Sequence, residues 1–125
     1  MAILRTVTHN AVIASDVSVA HGEAARLRGF LGRTEIGDNE GLWFAKTRMI
    51  HTAGMKTAID IIFVDRNLRV VHIDEYAGAW RIFGSFRAAH AIELAPGAVQ
   101  RTGLALGDLL ALEVPNLAPG SVLTR

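Results

Sequence analysis

The sequence predicts a mainly β fold, a compact β-sandwich or partly open barrel of about eight short strands with one conspicuous helix near residues 21–32. Three observations carry this. Short runs rich in β-branched and aromatic residues recur along the chain, with Gly, Pro, Asn or Asp between them. One stretch, His21 to Arg33, has apolar residues at helical spacing. The long α segments that parallel βαβ units require are missing.

Taken in order, Ile3–Val7 and Val12–Val19 read as two strands, with Asn10 in the polar gap to serve the turn. Ala24, Leu27, Phe30 and Leu31 then make one apolar face of a short helix. Gly32 suits its C-cap, and Arg26, Arg28 and Arg33 suit the negative end of its dipole. Gly29 inside the helix costs about 1 kcal/mol relative to Ala and marks a close pass to a neighbouring backbone. Asp38-Asn39-Glu40-Gly41 turns into the strand Leu42–Ala45. Ala58–Val64 is the most hydrophobic run and the central strand. Asp65-Arg66-Asn67 forms a hairpin turn with Asn67 at positive φ, and Leu68–Asp74 returns beside it. Glu75–Ala79 is a loop, and Trp80–Phe83 and His90–Leu94 are short strands. Pro96 to Gly103 is a helical turn opened by proline and closed by glycine. Gly107-Asp108 leads into a last strand, Leu109–Val114. Residues 1–114 are thus expected to form a single β-rich domain, and residues 115–125 a tail broken by Pro119-Gly120.

At 125 residues, half of them apolar and a fifth charged, the chain is large enough for a core without staples. Thirteen Lys and Arg against twelve Asp and Glu give no bulk attraction to nucleic acid or to an acidic membrane. No nucleic-acid or membrane partner is therefore expected. The absence of cysteine excludes disulfides, thiol catalysis and Cys-ligated zinc or iron–sulfur. The first residues lack a basic start followed by a long apolar run, and nothing approaches the ~20 apolar residues of a membrane span. A cytoplasmic location is the default expectation.

A set of ordered blocks carries a family resemblance. They begin with Arg28-Gly29-Phe30-Leu31-Gly32-Arg33, Gly41-Leu42-Trp43-Phe44 and Ile50-His51-Thr52-Ala53-Gly54-Met55-Lys56. Ile59-Asp60-Ile61-Ile62-Phe63-Val64-Asp65, Val70-Val71, Ala79-Trp80-Arg81, Glu93-Leu94-Ala95-Pro96-Gly97 and Gly107-Asp108 follow. In these blocks the chain resembles domain-of-unknown-function family number 192, a group of small bacterial and archaeal domains. The resemblance implies a compact, mainly β domain with one conspicuous helix, and no established activity, substrate or cofactor. Two departures stand out. Ala58 occupies the position that aligns with a proline before the strand aspartate. Thr47-Arg48-Met49 stands where similar members often have a cysteine, so no thiol-dependent role carries over.

The candidate site lies in Ile50–Asp65, where a polar cluster directly precedes the central strand. The expected ligand-binding residues are His51, Thr52, Met55, Lys56 and Trp80. Thr52, Gly54, Lys56 and Thr57 offer donors to an anion or a sugar hydroxyl. Trp80 beside Arg81 suits stacking on a sugar or peptide, or the capping of a core edge. Asp60 and Glu93 sit inside apolar strands, where an ionised carboxylate costs several kcal/mol unless paired or hydrogen-bonded. Each is therefore either a structural carboxylate that ties down backbone amides or an arginine, or an acid/base group with a shifted pKa. His51 and Met55 match copper(I) by ligand type, but two ligands do not make a site and no metal is assigned. No phosphate or dinucleotide fingerprint occurs, and no cofactor is named.

The leading expectation is a binding or accessory module for a small polar ligand or peptide. One alternative is a small hydrolase or lyase, with Asp60, Glu93 and His51 converging on one cleft. The other is a structural module that forms a homodimer through an apolar sheet face.

Overall fold

The computed structural model describes residues 2–22 and 28–114. Nine strands and one short helix occur in this range. They are β1 Ala2–Thr6, β2 Ala11–Val19, β3 Glu40–Phe44, β4 Met49–His51, β5 Ile59–Val64, β6 Val70–Ala77, β7 Ile82–Gly84, β8 His90–Leu94, α1 Ala98–Thr102 and β9 Leu110–Glu113. Seven strands form one sheet in the order β6-β5-β8-β3-β2-β1-β9, and β4 pairs with β7 in a second. All pairs are antiparallel except β2 with β3. Parallel neighbours need a long crossover, and the chain between Val19 and Glu40 supplies it.

Every residue of β5 and of β8 is buried, because both faces of the sheet are covered there. On one face Leu4, Trp43, Ile62, Ile92 and Leu112 belong to the larger core cluster. On the other, Phe44, Ile61, Phe63 and Ala91 pack under Phe30, Ile50, Met55 and Phe83. The small β4–β7 sheet and the end of the crossover thus form an outer layer over the central strands.

The large sheet curls round the first cluster until its two outer strands meet. Val70 N donates to Asp108 O at 2.9 Å, Gly107 N to Val70 O at 2.8 Å and Leu110 N to Leu68 O at 2.9 Å. Arg69 and Leu109 form the bridge between them. This seam is short, so the expected partly open barrel is the form the strands build. α1 follows β8 and buries Ala98 and Val99 in the barrel cluster. Gly97 and Gly103 bound it at φ 88° and 72°, a left-handed backbone that glycine takes without strain. The expected helical turn is confirmed.

Several expectations change. Residues 23–27 of the expected helix, and the expected tail over 115–125, lie outside the described residues. The helix does not reach residue 32, because Gly29 has φ 49° and the amides of Leu31 and Arg33 close turns onto Arg28 O and Phe30 O. In the β5–β6 hairpin the left-handed residue is Leu68, at φ 66°, and not Asn67. Asp65 Oδ1 accepts the amides of Asn67 and Arg69 at 2.9 and 3.0 Å, which moves the turn along by one residue. β6 runs on to Ala77, where a loop from Glu75 is expected. It does so through an irregularity, with Tyr76 at φ 51° and a register shift against β5 between Ile59 and Ile61. β7 starts at Ile82 and not at Trp80, which has φ 62°. β4 is an additional strand in a segment that reads as a loop.

Candidate functional site

The register of β5 against β8 decides which carboxylates meet. Asp60 lies opposite Leu94, and Ile61 opposite Glu93. Directly opposed residues point to one face of a sheet. Asp60 therefore faces the barrel core and Glu93 faces the outer layer. The expected acid/base grouping of Asp60, Glu93 and His51 does not form, since the sheet itself separates the two carboxylates.

Asp60 has the structural role. It is wholly buried. Its Oδ1 accepts Tyr76 N and its Oδ2 accepts Val99 N, both at 2.9 Å. One carboxylate thus satisfies the irregular stretch of β6 and the first turn of α1.

Glu93 is different. It forms the floor of a pocket of about 130 Å³ whose walls include Arg28, Gly29, Thr47, Met49, His51 and Met55. The residue is 4% exposed. Its Oε1 accepts Phe30 N over a long 3.3 Å. Among the described residues no donor to Oε2 is found. Burial pushes its carboxyl up to about 7, and the Phe30 amide only partly offsets this. Near neutrality Glu93 is poised between an acceptor and a donor. Gly29 makes this approach possible, since a Cβ there would stand 2.8 Å from Oε1. The close pass expected at Gly29 is real, but it is made to a carboxylate and not to a backbone.

The expected binding residues separate. His51, at the exposed end of β4, and Met55, half-buried against the outer cluster, both line the Glu93 pocket. Thr52 is wholly buried and committed to structure. Its hydroxyl lies 2.7 Å from Gly78 O and accepts Arg81 N at 2.9 Å, while its backbone N donates to Arg81 O at 2.9 Å. Lys56 and Trp80 are exposed and line no part of this pocket. The Arg81 guanidinium stands over Phe83, 5.5 Å from its ring centre. Arg28, Gly29, Thr47 and Met49 are pocket residues that the sequence did not single out for binding. Gly29 alone left a trace, as a glycine out of place in a helical pattern. No group of three or more His, Cys, Asp or Glu that could hold a metal occurs among the described residues.

A family model described as an uncharacterized ACR, domain-of-unknown-function family number 192, matches residues 5–112. The chain belongs to this family. The expectation raised by the ordered motif blocks is thereby confirmed, and the family carries no assigned activity. No curated protein matches the chain significantly. Two solved structures share the family member's fold. A protein from Sinorhizobium meliloti 1021, provisionally described as a transcription regulator, is 24% identical with a TM-score of 0.76, over 89% of this chain and 91% of that one. A protein of unknown function from Novosphingobium aromaticivorans DSM 12444 is 22% identical with a TM-score of 0.74, over 87% of this chain and 81% of that one. Among the described residues no helix is long and apolar enough to cross a membrane.

Proposed function

We propose that the chain is a non-enzymatic binding module that takes a small polar ligand, or one side chain of a peptide, in the pocket over Glu93. The observation that carries this reading is the buried carboxylate at the pocket floor, raised to about 7 and given one long hydrogen bond among the described residues. A ligand N–H or O–H offers Glu93 the partner that its burial otherwise denies it. His51, Thr47 and Arg28 at the walls add polar contacts, and Leu31, Met49 and Met55 accept an apolar portion. The volume, about 130 Å³, fits a group near the size of a benzene ring. Against the expected three-residue machinery stands the separation of Asp60 from Glu93, which leaves only Glu93 and His51 of the three at the pocket.

An NMR titration with small amines, amides and alcohols tests the reading. Ligands that bind are expected to shift the Gly29, His51 and Met55 signals, with Glu93→Gln weakening amines most. Gly29→Ala fills the space above the carboxylate and is expected to abolish the shifts. Shifts of equal size in wild type and in both variants would remove Glu93 from the site.

A further inference from the structure

The two excursions that build the small sheet, residues 45–58 and 78–89, have a composition unlike the rest of the chain. They hold Lys46, Arg48, Lys56, Arg81 and Arg87 and no Asp or Glu. The other eight cations share the remaining chain with all twelve acids. The five cationic residues are exposed. Among the described residues none of them enters an ion pair, whereas Arg5, Arg33 and Arg101 are each paired.

Large apolar side chains adjoin three of these cations in sequence, Met49 next to Arg48, Trp80 and Ile82 next to Arg81, and Phe86 next to Arg87. Met49 is 63% exposed, Ile82 70%, Trp80 76% and Phe86 98%. Met49 lies opposite Gly84 and His51 opposite Ile82, on the outward face, while Ile50 and Phe83 turn in to the core. Met49, Ile82 and Phe86 border one depression of about 330 Å³ together with Arg48. Protruding aromatic and aliphatic groups flanked by unpaired cations match the chemistry of an anionic bilayer interface. Rings settle at headgroup depth there and cations meet lipid phosphates.

We propose that the β4–β7 face docks peripherally on an anionic lipid surface. The near-balanced net charge conceals this, because the acids lie elsewhere in the sequence. A second copy is a poor occupant, since a two-fold contact would set one cationic face against another. An acidic peptide seated in the depression beside Arg48 would leave Phe86, 98% exposed, and Trp80, which does not line it, largely uncovered. Single-stranded nucleic acid would use the cations and the two rings but leave Met49 and Ile82 against sugar and phosphate.

Co-sedimentation of the intact chain with phosphatidylcholine vesicles, with or without phosphatidylglycerol, tests the proposal. Trp80 reports insertion, because Trp43 is already wholly buried. Binding and a blue-shifted Trp80 emission are expected with the anionic vesicles only, and salt is expected to weaken both. Arg48→Glu and Arg87→Glu each change the facing charge by two and are expected to weaken binding roughly thirtyfold. Phe86→Ser is expected to weaken it about tenfold. None of these three positions lines the Glu93 pocket, so ligand binding there is expected to persist. Equal binding to neutral vesicles, or no binding to either, overturns the proposal. So does capture of an acidic peptide or a single-stranded oligonucleotide without vesicle binding, or a dimer that Phe86→Ser dissolves.

Discussion

Glu93 shows how a single burial couples to proton binding. Its carboxyl stands at about 7 against an ordinary 4.5 because desolvation outweighs the help of the Phe30 amide. The folded state therefore holds this proton more tightly than the unfolded chain. The stabilisation is complete below pH about 4.5 and is lost as pH rises through about 7. At about 1.4 kcal/mol per pH unit, the loss across that window is about 3 kcal/mol. Glu93→Gln keeps the shape and an acceptor for Phe30 N but cannot ionise. Its stability relative to wild type is expected to rise between those two pH values and level off above them. Urea denaturation at a series of pH values measures this, and parallel curves for the two proteins would show that the proton resides elsewhere. The sequence exposed each half of this arrangement separately, Glu93 as a carboxylate in an apolar strand and Gly29 as a glycine out of place. Nothing local says that they meet, since Phe30 and Glu93 stand 63 residues apart. Asp60 was equally visible as a problem. Its solution, two backbone amides from β6 and α1, depends on which face of β5 it occupies.

At the scale of the element, strand length governs what can be read. β8 was expected over His90–Leu94 and is found there, because Ala91, Ile92 and Leu94 mark a short apolar run that is buried whole, His90 and Glu93 included. β4 has three residues, and its partner β7 also has three. So short a run has no measurable period, and the pairing joins segments far apart in the chain. Thr52 supplies what two such short strands lack. Its side chain and backbone together tie the end of β4 to Gly78, Trp80 and Arg81. Thr52→Val keeps the volume but leaves Gly78 O and Arg81 N without their hydroxyl partner, a cost of about 1–3 kcal/mol. Amides of β7 and of Trp80 are expected to exchange faster with solvent in this variant, with those of β5 and β8 little altered. Uniform loss of protection across both sheets would mean that the small sheet does not open on its own.

At the scale of the whole molecule, the sequence left sandwich and barrel open, and the seam between β6 and β9 decides for the barrel. It consists of backbone hydrogen bonds, which no side-chain pattern announces. Two side chains brace it, Arg69, whose Nη1 donates to Gly107 O at 3.0 Å, and Asp108. Asp108 is 5% exposed, accepts Ala105 N through Oδ2 at 3.0 Å and meets His9 Nε2 through Oδ1 at 3.3 Å. It thereby fixes the turn whose Gly107 N and Asp108 O bond Val70. Removing the carboxylate in Asp108→Ala leaves the Ala105 amide unpaired and is expected to cost about 1–3 kcal/mol. The larger consequence lies in where that cost falls. β5 and β8 are covered on both faces and are expected to open only with the whole molecule, whereas the seam has the barrel core on one side alone. Hydrogen exchange at Val70, Gly107 and Leu110 is therefore expected to quicken by more than global destabilisation explains, while Ile62 and Ile92 follow global stability. If the seam amides and the central amides slow or quicken together, closure and core form one cooperative unit, and the barrel has no separate clasp.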